Sequence, residues 1–259
     1  MKYIILTGHR KSGTTLLHRL FDNHPGLNIY PVDISLLYAY YPCWTNKKLS
    51  TKQLKDRFSL VVQKSTSEFT DQKILKDGKK FDPNTFLKIL WKNYNPAGLV
   101  QPNLIMDAVS NSYCEYLELD KSLPFVFKET SQVINLKRIL SKNTNVKMLQ
   151  IIRDPRDNYA AIKDGVSNYY KNMGEDEMES LASVLNRTKL DLELAWREIQ
   201  NKSSNFFTIH FEQLTANPEK ILKKITKDLQ IEWHKNLTSP TFLGGKFDGN
   251  NHTGDKFKG

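Results

Sequence analysis

The sequence predicts an α/β fold: one domain over residues 1–259, with a central, mostly parallel sheet flanked by helices. Short β-rich runs alternate with longer stretches of helical spacing, the pattern of strands joined by crossover helices. A glycine-bearing turn joins the first strand to the first helix in the manner of a P-loop. The length, 259 residues, suits a single large α/β unit, and no linker, repeat or low-complexity tract divides it.

Taken in order, Tyr3-Ile4-Ile5-Leu6 reads as a compact buried strand. Thr14 to Asn23 follows as a helix with Leu16, Leu17, Leu20 and Phe21 on one face, stopped by Asn23-His24-Pro25. Residues 45–120 are the least legible, and a mainly helical excursion that shapes an acceptor cleft is expected there. Phe125-Val126-Phe127 is the second strand, and Ile134 to Leu140 belongs to a helix. Val146 to Ile152 is the third strand and gives way at Asp154-Pro155 to a helix running to about Tyr170. Residues 182–200 form a long amphipathic helix whose Leu185, Leu192, Ala195, Trp196 and Ile199 read as core packing. Phe206 to Phe211 is the fourth strand, and Ile221, Leu222, Ile225 and Leu229 mark the helix after Asn217-Pro218. After Leu237 the chain is loop-like, rich in Gly and Asn, and a candidate part of the site.

Composition sets limits. The apolar share is 39%, too rich in Leu, Ile and Phe for a disordered chain. No run approaches the ~20 apolar residues of a spanning helix. The longest candidate, Ile34 to Trp44, is broken by Ser35 and Pro42. The apolar run after Lys2 is too short for a secretory signal. Cys43 and Cys114 cannot build a disulfide scaffold or a Cys-based zinc site, so a reducing, cytoplasmic compartment is expected. Lys and Arg number 38 against 28 Asp and Glu, a net charge of +10. Such a surplus attracts nucleic acid, an acidic glycan or a phosphorylated cofactor. Scattered lysines such as Lys47, Lys48, Lys79 and Lys80 equally suit an ordinary solvated surface, so charge alone does not choose.

The strongest local pattern is strand, then Gly8-His9-Arg10-Lys11-Ser12-Gly13-Thr14-Thr15, then helix. Glycines permit a tight turn and close backbone approach. The helix N-terminus that follows offers free N–H groups and the positive end of its dipole, an anion cradle. The segment is similar to a Walker A loop but departs at the decisive position. Thr14 stands where the lysine after the second glycine belongs, and a lysine sits two residues before that glycine, at Lys11. With the lysine moved, nucleoside triphosphate–magnesium chemistry is disfavoured.

Lys11-Ser12-Gly13-Thr14-Thr15-Leu16-Leu17 resembles the 5′-phosphosulfate loop of sulfotransferases that use 3′-phosphoadenosine 5′-phosphosulfate (PAPS). Further segments match in order. Pro31-Val32-Asp33 resembles the stretch carrying the catalytic carboxylate in the glycan and tyrosyl-protein branches. Lys128-Glu129-Thr130 falls where many members have Lys-x-Pro or Lys-x-His. Ile151-Ile152-Arg153-Asp154-Pro155-Arg156-Asp157 is similar to the strand-ending 3′-phosphate motif, and Phe211-Glu212-Gln213-Leu214 with Asn217-Pro218 to the Tyr-Glu-Asp-Leu…Asn-Pro segment. The tail from Gly244 through Lys246 to Asn250 is similar to the Gly-rich nucleotide loop of bacterial members.

The resemblance implies a sulfotransferase moving a sulfuryl group from PAPS to a hydroxyl or amine, with no metal. It implies cofactor contacts from Lys11, Ser12, Gly13, Thr14, Thr15, Arg153, Phe211 and Lys246. Arg153 suits the 3′-phosphate because its fork matches phosphate oxygens in pairs; a salt bridge to Asp154 or Asp157 is the alternative. The serine that members usually carry eight residues later is Ala161 here, with Asn158 and Arg156 as candidate replacements. Lys11 would meet charge on the leaving phosphate, and Lys128 would hold sulfuryl oxygens or stand as a solvated strand-end lysine. Thr130 occupies the place of the histidine base found in many members, which leaves Asp33 as the base or as a turn or helix cap. Phe211 would pack on the adenine or simply in the core. The acceptor, a glycan, lipid or small molecule, is not specified; Tyr38, Tyr40, Tyr41 and Trp44 suit either its cleft or a core helix. The alternatives are a P-loop-type nucleotide kinase and a non-enzymatic module that recruits an acidic polymer. No nucleic acid is expected as partner.

Overall fold

The computed structural model describes residues 3–36, 50–70, 81–94, 102–135, 145–165 and 176–247. Five strands, β1 (Tyr3–Gly8), β2 (Asn28–Asp33), β3 (Phe125–Lys128), β4 (Val146–Ile152) and β5 (Phe206–His210), form one sheet in the order β2-β3-β1-β4-β5. Every neighbouring pair is parallel. Apolar side chains leave β1 on both faces. Tyr3 and Ile5 join one core with Tyr30, Phe125, Phe127 and Met148, while Ile4 and Leu6 join another with Leu17, Leu149 and Ile209. A strand buried on both sides must be apolar throughout, which explains the unbroken Tyr-Ile-Ile-Leu run.

Helices close the two faces. On one side α1 (Thr14–Phe21) and α8 (Pro218–Leu229) bury Leu17, Leu20, Leu222, Ile225 and Leu229. On the other, α2 (Thr51–Thr70), α3 (Pro83–Asn93) and α4 (Pro102–Tyr116) supply Phe58, Phe86 and Tyr113. All three lie within the stretch 45–120, of which 71–80 and 95–101 are outside the described residues. Asp82 caps α3 by accepting from the amides of Asn84 and Thr85 ahead of Pro83, a conventional helix start. Further on come α5 (Pro155–Gly165), α6 (Glu177–Gln200) and α7 (Phe211–Ala216). Asp176 and Glu179 form a capping box at the start of α6. Among the described residues no helix is long and apolar enough to cross a membrane.

Several details differ from the sequence reading. β2 was not anticipated, because Pro31 lacks a donor. It is tolerated here since β2 is an edge strand whose pairing with β3 is irregular between Ile29 and Asp33. Phe211 opens α7 instead of ending β5. The chain after Pro240 is not all loop: β6 (Thr241–Phe242) and β7 (Gly245–Lys246) make a small antiparallel hairpin. Of the apolar residues assigned to core packing on α6, only Ala195 is buried; Leu185, Leu192, Trp196 and Ile199 are exposed. Of the helix expected at 134–140, the described residues 134 and 135 belong to a 3₁₀ turn at Val133–Asn135. The remaining residues of that stretch, with Tyr38, Tyr40, Tyr41, Trp44, Cys43 and the tail from Asp248, lie outside the described residues.

The buried face of α6 holds a charged pair. Arg187 donates to Asp191 (3.1 Å) and to the carbonyl of Ser131 in the turn after β3. Burial pushes the Asp191 carboxyl up to about 6 from its ordinary 3.8, partly offset by Arg187. The folded chain then binds this proton more tightly than the unfolded chain. Stability from the group is full below about pH 4 and is lost as pH rises through 6, on the order of 2 kcal/mol. Asp191→Asn keeps the Arg187 contact and never ionises. Measured by chemical denaturation, it should match the parent near pH 4 and exceed it at pH 7; parallel curves would show that Asp191 titrates as an ordinary surface carboxylate.

Candidate active site

β1 sits between β3 and β4; the connection from β1 runs toward the β2 edge and that from β4 toward the β5 edge, so the C-terminal ends of β1 and β4 open a crevice of the kind where α/β sheets bind ligands. The loop after β1 is held by its own polar groups. Ser12 donates its amide (3.1 Å) and hydroxyl (2.6 Å) to the His9 carbonyl. Lys11 is left-handed, with φ 63°. Gly13 has φ 99°, and a Cβ there would stand 2.4 Å from the Phe211 ring. Among the described residues no side chain caps α1, and its first backbone bond runs from Leu17 N to Gly13 O (2.9 Å). The amides of Thr14 and Thr15 precede that bond, so they stand ready for an anion together with the helix dipole. Partial burial lowers the pKa of the Lys11 ammonium from its ordinary value.

Arg153, immediately after β4, reaches this loop. Its Nη1 donates to the Lys11 carbonyl (3.0 Å), and its guanidinium lies 4.6 Å over the Phe211 ring. Its Nε is buried and, among the described residues, has no hydrogen-bond partner. A buried donor left without an acceptor in a cleft beside His9, Ser12 and Asn158 suits an anionic ligand. The alternative salt bridge is not formed through Asp154. That carboxylate takes the exposed Arg156 (2.6 Å), which drives its pKa down to about 2.

Asp33, at the end of β2, faces the turn after β3. Its Oδ2 accepts from the Thr130 amide (3.3 Å) and hydroxyl and lies 3.5 Å from Lys128 Nζ; its Oδ1 accepts from Ser35 (3.1 Å). Among the described residues Asp33 caps no helix. Lys128 is only 13% exposed in its side chain, which removes the solvated strand-end alternative. The turn is tied down around this pair. Glu129 N donates to Leu6 O (2.9 Å), Ser131 N to Gly8 O (2.9 Å), and the Glu129 carboxylate accepts from Leu36 N (2.7 Å).

The structure thus brings Lys11, Gly13, Thr14, Thr15, Arg153 and Phe211 together, with Asp33 and Lys128 at the neighbouring strand ends. Ser12 is 2% exposed and its hydroxyl serves the loop itself. Phe211 packs beneath Gly13 and Arg153 as the floor of the loop. Lys246 is exposed on the hairpin, which is anchored to the later turns of α1: Asp22 accepts from Thr241 (2.8 Å) and Gly244 N (2.9 Å), and Arg19 stacks 4.0 Å over Phe242. Of the candidates to replace the serine at Ala161, Arg156 points to Asp154, and Asn158 is buried against His9 (3.0 Å) and the Arg10 carbonyl (2.8 Å). Sequence reasoning missed the holding roles of Thr130, Glu129 and Arg187. Only the position of Thr130, where the resemblance calls for histidine, pointed toward one of them.

Gly13→Ala tests how tightly this loop is built. A left-handed φ and a Cβ driven into Phe211 should cost about 2 kcal/mol or more, seen as a lower Tm together with weakened anion binding. An unchanged Tm would mean that Phe211 moves freely and is no floor.

The family description that matches the sequence, over residues 4–235, is the sulfotransferase family. No curated protein matches it. Among solved structures, the chain is similar to the sulfotransferase domain from the curacin biosynthetic pathway, at 20% identity and a TM-score of 0.55 over 96% of this chain and 81% of that one. It is also similar to a sulfotransferase from Alicyclobacillus acidocaldarius, at 13% identity and a TM-score of 0.50 over 95% and 86%. At these identities the likeness speaks for a shared fold, whereas the family match spans most of the chain. With the phosphate loop, the strand-end arginine and the parallel sheet in the places described above, the chain belongs to the sulfotransferase family.

Proposed function

We propose that this protein transfers a sulfuryl group from PAPS to a hydroxyl or amine of an acceptor, with Lys11 and Arg153 serving the anionic ends of the donor and Asp33 taking the acceptor proton. The observation that carries this reading is the junction of the β1–α1 loop with Arg153. One guanidinium, bonded to the Lys11 carbonyl, sets two anion-binding elements side by side on one sheet edge. PAPS supplies an activated sulfuryl group on a phosphate leaving group, with a separate 3′-phosphate. The uncapped amides of Thr14 and Thr15 suit one anion, and the unpartnered Nε–H of Arg153 suits the other.

Each side chain then has a task that follows from its surroundings. The Lys11 ammonium is partly desolvated, where charge stabilisation of a leaving oxygen is worth on the order of 3 kcal/mol. Thr130 and Lys128 hold Oδ2 of Asp33, so Oδ1, whose one partner among the described residues is the rotatable Ser35 hydroxyl, is the oxygen assigned to receive the proton. Lys128 adds a positive charge on the acceptor side. The helices after β2 border this side of the sheet, and we assign the acceptor cleft to them, for a glycan, lipid or small molecule. The buried, free Cys114 fits a reducing, cytoplasmic setting.

Transfer of labelled sulfate from PAPS across an acceptor series tests the reading. Lys11→Ala should lower turnover by about two to three orders of magnitude. Asp33→Asn, which preserves shape, should lower it by roughly 10²- to 10⁴-fold with Tm nearly unchanged. Turnover within a few-fold of the parent in either variant would remove that residue from its role.

A further inference from the structure

Lys11 keeps a left-handed backbone, φ 63°, which a residue with a side chain holds only when its surroundings enforce it. The peptide groups on either side of its Cα set that conformation, and a side chain pins each of them. Arg153 Nη1 donates to the Lys11 carbonyl (3.0 Å) in the following peptide, and Asn158 Nδ2 donates to the Arg10 carbonyl (2.8 Å) in the preceding one. Both side chains come from the chain after β4. Arg153 stands at the strand end, and Asn158 lies one turn into α5, where its amide donates to the Asp154 carbonyl (2.9 Å). Asparagine is a weak helix former, and this one is only 2% exposed, so its place in α5 calls for polar partners. It has two. A carbonyl can only accept, which puts Nδ2 toward Arg10 and turns Oδ1 toward the His9 ring, 3.0 Å from Nδ1. Nδ1 then carries the proton and donates to Oδ1. Burial lowers the His9 pKa from its ordinary 6.5, so the ring is neutral at pH 7 and keeps this tautomer.

We propose that Asn158 is a positioning residue for the phosphate loop. By bridging His9 and the Arg10 carbonyl it fixes the peptide group before Lys11, and through it the placement of Lys11 toward the 5′ end of the donor. This rests on the reading of the site as a PAPS site and adds to it a residue that acts through the loop. Peptide groups are trans, so holding the Arg10 carbonyl against α5 turns the Lys11 N–H away from α5. Two pinned peptide planes leave the Cα between them little freedom, which is what a strained lysine requires. The two pins differ in kind. Arg153 is shared between the loop and the proposed 3′-phosphate, whereas the neutral Asn158 amide serves the loop alone. The loop therefore keeps its shape whichever way the donors of the arginine turn. Asn158 lines the same cleft as Arg153, beside His9 and Ser12, yet its Oδ1 and an Nδ2–H are spent on residues 9 and 10. It acts at the 5′ end and so does not replace the serine missing at Ala161, whose place is at the 3′ end.

Titration with 3′-phosphoadenosine 5′-phosphate and with adenosine 3′-phosphate, which lacks the 5′ group, separates this role from a direct contact. Asn158→Leu is close in shape and uncharged. It should weaken the bisphosphate about tenfold or more and leave adenosine 3′-phosphate within about twofold of the parent. An unchanged bisphosphate affinity overturns the proposal. So does an equal loss with both ligands, which would set Asn158 at the 3′-phosphate or reveal a general loss of structure. Should Asn158→Leu misfold by circular dichroism, Asn158→Ser carries the same comparison, because its hydroxyl stops short of the Arg10 carbonyl. Should the parent bind neither nucleotide, the reading as a PAPS enzyme fails, and sulfate then tests the positioning by itself. Followed through the amide resonances of Thr14 and Thr15, sulfate should bind the parent several-fold more tightly than the variant; equal or absent binding overturns the proposal.

Discussion

The Arg153 guanidinium lies against the Phe211 ring and donates to the carbonyl of Lys11, a residue held in a left-handed conformation. This contact joins the end of β4 to the loop after β1, and much of the site's geometry descends from it. Phe211 in turn fills the space that a Cβ on Gly13 would need, so the glycine, the ring and the arginine form one stack. The loop can therefore turn sharply and still present an uncapped helix end. Arginine in this place has both a structural and a chemical reason. Its planar face stacks while its edge keeps donors for an anion.

The second anchor lies across β1. The turn after β3 is bonded to β1 through Glu129 N to Leu6 O and Ser131 N to Gly8 O, and clamped from outside by Arg187. Thr130 at its apex then holds Asp33 of the edge strand. An edge strand with an irregular ladder is a poor support for a reactive carboxylate. Here the precision comes from the neighbouring turn instead. This accounts for a threonine where the resemblance calls for histidine: the proton-accepting role is proposed for Asp33, and Thr130 orients it.

The elements that were legible in the sequence are those whose side chains answer to one environment. β1 and β4 are buried on both faces, and α8 shows one apolar stripe, so composition alone marks them. β2 was hidden by Pro31, whose missing donor argues against a strand until its edge position is known. α6 misled for another reason. An apolar stripe announces burial without saying by what, and here the residues toward the core include Val184, Ala195 and the pair Arg187–Asp191 while the stripe faces out. The turn after β1 was legible because its backbone geometry demands glycine at a fixed place, and the anion-binding role proposed for it and Arg153 rests on residue types at fixed spacing. Thr130 and Arg187 were not, since their roles depend on contacts between residues tens of positions apart.

The central claim is that the β1–α1 loop and Arg153 form one site for two separated anionic groups. Isothermal titration with 3′-phosphoadenosine 5′-phosphate and with ATP–magnesium, on the parent and on Arg153→Ala, tests it most directly. The account predicts micromolar or tighter binding of the bisphosphate, little binding of ATP, and a loss of at least about tenfold on removing Arg153. Equal affinity for ATP–magnesium, or a bisphosphate affinity indifferent to Arg153, would contradict it.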